Sequence, residues 1–125
     1  MNLAKYFEKN EGIGILATSD AKGNVNLAIY APPYIIGEKK IAFSMLERRS
    51  YGNLQSNPKA AYMFIEQDEH YKGKRLYLVK AGEKTDAGKI KKIKEQHKNR
   101  FNTESAGKHL VYFKITETRP LVGGN

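Results

Sequence analysis

The residue types best suited to chemistry are Arg48 and Arg49, followed directly by Ser50. A guanidinium presents planar N–H donors that match phosphate oxygens, and a serine hydroxyl adds a short donor. The start of a helix also favours an anion, because its first N–H groups have no intrahelical acceptor. If Ser50 is the N-cap of a short helix, these groups form a site for a terminal phosphate. A plain N-cap beside two solvated arginines fits the same residue types equally well.

About six short strands are predicted around this segment, each a run of apolar, largely β-branched or aromatic residues bounded by turn-forming residues. Tandem prolines, Pro32-Pro33, interrupt the second strand because proline cannot donate a ladder hydrogen bond. The polar residues 20–24 predict a hairpin turn. The strands cover residues 13–19, 25–31 with a continuation over 34–36, 41–45, 59–66, 74–83 and 110–118.

Three helices are predicted between or before the strands. Leu3 and Phe7 lie four residues apart, as on one face of a short N-terminal helix. A helix over residues 50–57 ends before Pro58, because proline disfavours the helical conformation in the preceding residue. Residues 86–101 repeat apolar side chains at three- and four-residue steps, which predicts an amphipathic helix.

Short strands with only local helices favour an antiparallel β-barrel over a βαβ sheet. A barrel closes its own edges, which the strands would otherwise expose. The chain of 125 residues fits one domain. The prediction is therefore a single, mainly β domain over residues 1–125.

Several classes of site and location are disfavoured by the sequence. There is no cysteine, which removes disulfides, thiolate catalysis and thiolate metal ligands. The three histidines are isolated from one another, so no metal site is expected. Residues 12–17 match a dinucleotide-binding glycine pattern. That motif should be followed by a helix, whereas these residues lead into a predicted strand. No apolar run approaches a membrane span and no signal peptide is evident, so a cytoplasmic location is expected.

The formal net charge is +9, from 22 Lys and Arg against 13 Asp and Glu. Much of the excess falls between Lys84 and Arg100 and fits a solvated helix face. Eight tyrosines and five phenylalanines on a basic β-barrel would also suit stacking on nucleic acid. A nucleic-acid-binding module is therefore the alternative function, although the aromatic residues do not interleave with the basic run.

The order of elements around residues 13–65 resembles the pyridoxamine 5'-phosphate oxidase-like FMN-binding split β-barrels. The most specific part of the resemblance is the run Arg49-Ser-Tyr-Gly-Asn-Leu-Gln-Ser-Asn-Pro58, and the run Thr118-Arg-Pro-Leu-Val122 is similar as well. The resemblance implies an antiparallel split barrel that binds FMN and forms a homodimer, with the FMN at the subunit interface. An isologous pair is also the commonest assembly of a small soluble chain.

The resemblance further implies which residues hold the cofactor. The FMN phosphate is expected on Arg49 and Ser50, with Arg48 beside them and Asn53 supporting the site from the same helix. The isoalloxazine is expected against the second and third predicted strands. Its predicted contacts are Ala28, Ile29 and Tyr30 on one strand and Ser44, Met45 and Leu46 on the other.

The leading hypothesis is a flavoprotein that transfers electrons through bound FMN. The flavin supplies the redox chemistry, so the protein needs no nucleophile of its own. The oxidase itself ends with an arginine and a histidine that hold its substrate, whereas this chain has Arg119 followed by no histidine. Oxidation of pyridoxamine phosphate is therefore not expected.

Overall fold

The structure is a computed structural model that describes residues 2–68, 70–85 and 109–124. The predicted helix over residues 86–101 lies outside these ranges. Within them the chain forms two helices and seven strands. In chain order these are α1 (Leu3–Lys9), β1 (Gly12–Ser19), β2 (Val25–Ile29), β3 (Tyr34–Gly37), β4 (Lys40–Met45), α2 (Arg49–Ser56), β5 (Lys59–Glu66), β6 (Gly73–Lys84) and β7 (His109–Pro120).

All seven strands belong to one antiparallel sheet in the order β2-β1-β5-β6-β7-β4-β3. The sheet curls around a single main core, because side chains from strands far apart in this order are buried together. Leu16 of β1 and Phe43 of β4 belong to the same buried cluster. The ring of Tyr30, just after β2, lies 5.6 Å from the ring of Phe43. The mainly β antiparallel class is confirmed.

The strand count differs from the prediction of about six strands, whereas the split form of the barrel that the resemblance implies is confirmed. Residues 34–36 do not continue β2: they form β3 at the opposite edge of the sheet. β2 stops pairing before Pro32-Pro33. The chain then crosses the molecule and forms β3, which pairs with β4. In the described residues no ladder joins β2 to β3, so the barrel stays split and both edges remain open.

Local turn chemistry explains the β1–β2 hairpin. One carboxylate oxygen of Asp20 accepts hydrogen bonds from the backbone N–H groups of Lys22 and Asn24, both at 2.9 Å. Gly23 adopts a φ of +88°, a conformation that glycine reaches at little cost. The predicted turn over residues 20–24 is therefore confirmed.

Along β1, β2 and β5 the side chains point alternately to the two faces of the sheet. Leu16, Tyr62 and Phe64 are buried on the inner face, so their sequence neighbours point outward. We call the outward-facing apolar side chains of β1, β2 and β5 the outer surface. Its members are Ile13, Ile15, Ala17, Val25, Leu27, Ile29, Ala61, Met63 and Ile65.

A close contact fixes the chain where it leaves β2. The Tyr62 hydroxyl donates a 3.0 Å hydrogen bond to the Tyr30 carbonyl. A Cβ on Gly14 would lie only 1.8 Å from that hydroxyl oxygen. Gly14, which belongs to the glycine pattern over residues 12–17, is therefore needed for close packing of β1 against Tyr62.

Among the described residues, neither helix is long and apolar enough to cross a membrane.

Candidate functional site

Residues 46–50, which we call the corner, connect β4 to α2. The Arg48 N–H donates a 2.8 Å hydrogen bond to the Leu46 carbonyl and so turns the chain. Arg48 is extended, with φ −119° and ψ −166°, and is the N-cap of α2. The first intrahelical bond runs from the Gly52 N–H to the Arg48 carbonyl at 2.9 Å. The N–H groups that precede Gly52 in the helix therefore have no acceptor within the helix, and they lie at the corner.

The prediction that Ser50 caps the helix is wrong. Ser50 already lies inside α2, because the extended residue that precedes the helix is Arg48. Its side chain is buried, with 4% exposed. The hydroxyl instead accepts a 3.2 Å hydrogen bond from the Asn26 side-chain amide. This bond joins the corner to β2.

A second hydrogen bond fixes α2 against β1. The buried Asn53 amide donates to the Thr18 hydroxyl oxygen at 3.0 Å. Both groups lie away from water, where an unmade hydrogen bond is costly. Asn53 therefore supports the helix from beneath, and the FMN role predicted for it stays a prediction.

The two arginines of the corner are exposed. Burial raises the pKa of the Tyr30 hydroxyl, and the positive charge of Arg48 opposes that rise. Arg48 therefore acts electrostatically on the inner face of β2. The structure thus brings Arg48, Ser50 and Tyr30 to one side of the molecule.

The predicted ring contacts divide between the two faces of their strands. On β2, Ala28 lies half-buried on the inner side, as does Tyr30 just beyond the strand, whereas Ile29 points outward with 73% exposed. On the other strand, Ser44 and Leu46 are half-buried. Met45 is fully enclosed by the core, with 0% exposed, and its backbone pairs with His109 of β7.

Sequence reasoning missed Asn26 and Thr18. Both are polar residues on the inner side of their strands: Asn26 lies between Val25 and Leu27, and Thr18 shares its face with the buried Leu16. That alternation was the available signal, because a polar side chain pointing inward needs a partner. Their partners are on α2, 24 and 35 residues away in sequence.

Another polar cluster lies beneath α2. We call Glu47, Tyr51, Glu83 and His109 the His109 network. The His109 ring stacks on the Tyr51 ring at 4.3 Å, and the Tyr51 hydroxyl donates to Glu83. That hydrogen bond and the Glu83 charge raise the pKa of Tyr51 to about 12. Burial alone would raise the pKa of Glu83, but hydrogen bonds from Lys80 and Tyr51 leave it below its usual value.

No cluster of histidine and carboxylate side chains in the described ranges has the arrangement of a metal site. The corner itself offers two guanidiniums, one hydroxyl and the N–H groups of a helix start, and these are groups that suit an anion.

A family model described as pyridoxamine 5'-phosphate oxidase matches residues 3–121. No curated protein matches the chain. Among solved structures, an FMN-binding protein from Syntrophomonas wolfei is 22% identical, with a TM-score of 0.78 over 94% of this chain and 82% of its own. An F420 reductase is 16% identical, with a TM-score of 0.67 over 91% and 94%. The heme storage protein of Vibrio cholerae is 20% identical, with a TM-score of 0.64 over 92% and 89%. What these structures share with this chain is the fold.

Proposed function

The chain belongs to the pyridoxamine 5'-phosphate oxidase family, and on that premise we propose that it binds FMN at the corner and transfers electrons through it. The observation that carries the proposal is that two exposed arginines, Arg48 and Arg49, lie at the start of α2, where the Asn26–Ser50 hydrogen bond joins the helix to β2. A phosphate dianion placed there would meet two guanidiniums and unpaired helix N–H groups.

The proposed cofactor extends from the corner along β2. Asn26 lies beside Ser50 at the phosphate end, and Ala28 and Tyr30 follow on the same inner face. When bound, the flavin ring supplies the redox chemistry. The chain's own residues bind the phosphate, shield one side of the ring and place the Tyr30 hydroxyl near it.

We further propose that pyridoxamine phosphate is not the substrate. Arg119 is the residue of this chain that the resemblance would assign to such a substrate. In the structure its guanidinium donates a 3.0 Å hydrogen bond to the Gly124 carbonyl. Arg75 binds the same terminal segment through the carbonyls of Pro120 and Gly123, at 2.8 and 2.6 Å. Arg119 is thus engaged with the chain's own backbone.

The proposed assembly is a homodimer formed through the outer surface. Val25, Leu27 and Ile29 are 81%, 71% and 73% exposed, and Ile13 on the neighbouring strand is 56% exposed. Contiguous exposed apolar patches of this kind mark interaction sites. A twofold axis would bury this patch against its own copy. β2 would then carry the dimer contact on its outer side and the cofactor on its inner side, so that the FMN lies next to the subunit interface, as the resemblance implies.

The test is an absorption spectrum of the purified protein, followed by titration with FMN and with riboflavin. Flavin bands, or tight uptake of FMN with much weaker uptake of riboflavin, would support a phosphate-anchored flavin. Protein that is colourless and takes up no added FMN would reject the proposal. Spectra after addition of a deazaflavin or heme would assign a different cofactor in that case.

Nucleic-acid binding stays the alternative, and its basic run lies largely outside the described residues. Within the described part, Tyr112 has the Lys40 and Lys84 ammonium groups 4.9 and 5.8 Å from its ring centre. Retention on single-stranded nucleic acid that falls steeply with salt would favour this function over the flavoprotein.

A further inference from the structure

The His109 network connects the corner to the sheet. His109 Nε2 lies 2.7 Å from Glu47 Oε1, and Nδ1 lies 3.6 Å from Glu83 Oε2. The His109 side chain is only 11% exposed. Because a carboxylate can only accept, the Nε2–H group donates to Glu47. The contact joins two residues that are 62 positions apart.

The other members hold the His109 ring in place. Tyr51 stacks on one side of it with an interplanar angle of 16°. Glu83 is in turn bound by Lys80 at 2.8 Å, by Gln55 at 3.3 Å and by the Tyr51 hydroxyl. The ring orientation is therefore fixed by α2 and β6 together, and the Nε2–H group is directed at Glu47.

The Glu47 carboxylate could interfere with phosphate binding at the corner. It directly precedes Arg48 and Arg49, and its side chain is 64% exposed. A free carboxylate here would pair with a neighbouring guanidinium and repel a phosphate dianion. In the described part of the chain, the ion-pair partner of Glu47 is His109.

We propose that His109 is a positioning residue, which withdraws the Glu47 carboxylate from the corner so that Arg48 and Arg49 stay available to an anion. This inference rests on the proposed function, because the anion is the phosphate of FMN. His109 does not touch the cofactor. It acts through Glu47.

The main test measures the dissociation constants of FMN and riboflavin for the wild-type protein, His109→Phe and the double variant His109→Phe/Glu47→Gln. Phenylalanine keeps the aromatic contact with Tyr51 and removes the donor. FMN binding should weaken roughly tenfold in His109→Phe, because a charge-assisted contact of one guanidinium is lost. Riboflavin binding should stay within about twofold, because it carries no phosphate.

The double variant separates positioning from simple structural support. With no carboxylate to release, it should recover FMN affinity to within about threefold of wild type. Equal weakening for FMN and riboflavin, or no recovery in the double variant, would overturn the inference. A wild-type protein that binds no FMN would instead reject the proposed function.

Glu47→Gln alone provides a second test if His109→Phe does not fold. If His109 already withdraws the carboxylate, the single change at this exposed position should alter FMN affinity by less than about twofold. An increase of about tenfold would show that Glu47 pairs with the arginines in the native protein, against the inference.

Discussion

The two sides of β2 differ in what their side chains contact. The inner side places Asn26, Ala28 and Tyr30 half-buried, with Asn26 bonded to Ser50 on α2. The outer side consists of apolar residues that are largely exposed. In a five-residue strand, this alternation leaves every side chain directed either to the proposed cofactor site or to the proposed dimer contact.

The difference suggests a test, because the proposed cofactor site and the proposed dimer contact share one structural element. β2 lies at an open edge of the sheet and pairs only with β1 in the described residues. A second subunit on the outer surface would stabilise this edge strand, and a cofactor on the inner side would do the same. Each event should therefore strengthen the other by linkage.

The largest expected effect comes from Leu27→Lys on the outer side. A twofold interface contains the substitution twice, so the dimer should weaken by about 3–6 kcal/mol, roughly a hundredfold to ten-thousandfold, from lost apolar burial alone. Sedimentation velocity over a concentration series measures the change. Gln67→Lys is the matched control, because it adds the same charge on an exposed loop.

A wild-type protein that is monomeric would show that the outer side of β2 has no role in assembly. If Leu27→Lys stays a dimer while Gln67→Lys does too, the outer surface is not the contact. If the variant becomes monomeric but keeps full FMN affinity, the two sides of β2 act independently.

Arg49→Ala removes the charged anchor on the inner side. FMN affinity should fall by about 1.5–3 kcal/mol, or roughly ten- to a hundredfold, since a hydrogen bond between two charged groups is lost. Isothermal titration with FMN and riboflavin measures the effect. Lys59→Ala removes another exposed positive charge, on β5, and should change neither constant. Unchanged FMN binding in Arg49→Ala would mean that the phosphate lies elsewhere.

Much of the local structure could be predicted from short sequence signals. Asp20 and Gly23 specify their turn through backbone hydrogen bonds and a positive φ. Pro58 ends α2 where expected, with Asn57 as the C-cap. Such signals act between residues a few positions apart, so the neighbouring sequence contains all the information that they need.

The parts that could not be predicted depend on contacts across the fold. Residues 34–37 form a separate strand at the opposite edge of the sheet, where they pair with β4, and no local pattern records this pairing. Ser50 is not the N-cap because α2 begins earlier, after the extended Arg48, and its hydroxyl instead finds a partner in Asn26 of β2. His109 was isolated in sequence, yet its carboxylate partners lie on segments that only the fold brings together.

Asn26→Ala tests the bond that links the inner side of β2 to the corner. The Ser50 hydroxyl loses its donor, which should cost about 0.5–1.5 kcal/mol of FMN affinity, a two- to tenfold effect. Fluorescence titration with FMN measures the change, and riboflavin is the internal control. Equal losses for both ligands would place Asn26 near the ring and away from the phosphate.

Gly52→Ala should have the smallest effect. Unlike the other substitutions, which weaken binding, it should stabilise the folded protein. Gly52 is exposed within α2, and a Cβ there would have nothing within 4 Å. Alanine should therefore raise the free energy of unfolding of the apoprotein by about 0.5–1 kcal/mol, because it costs less backbone entropy in a helix. Urea denaturation measures the gain.

Gly23→Ala is the control, since its added Cβ also meets open space but its φ is +88°. That substitution should destabilise the protein, so the pair isolates backbone conformation from steric contact. FMN affinity should stay unchanged in Gly52→Ala, because Arg48, Arg49 and Ser50 keep their positions. A variant that gains stability but loses FMN or dimer affinity would show that a ligand or second subunit approaches the backbone of α2 at this glycine, which would extend the binding surface from β2 onto the helix.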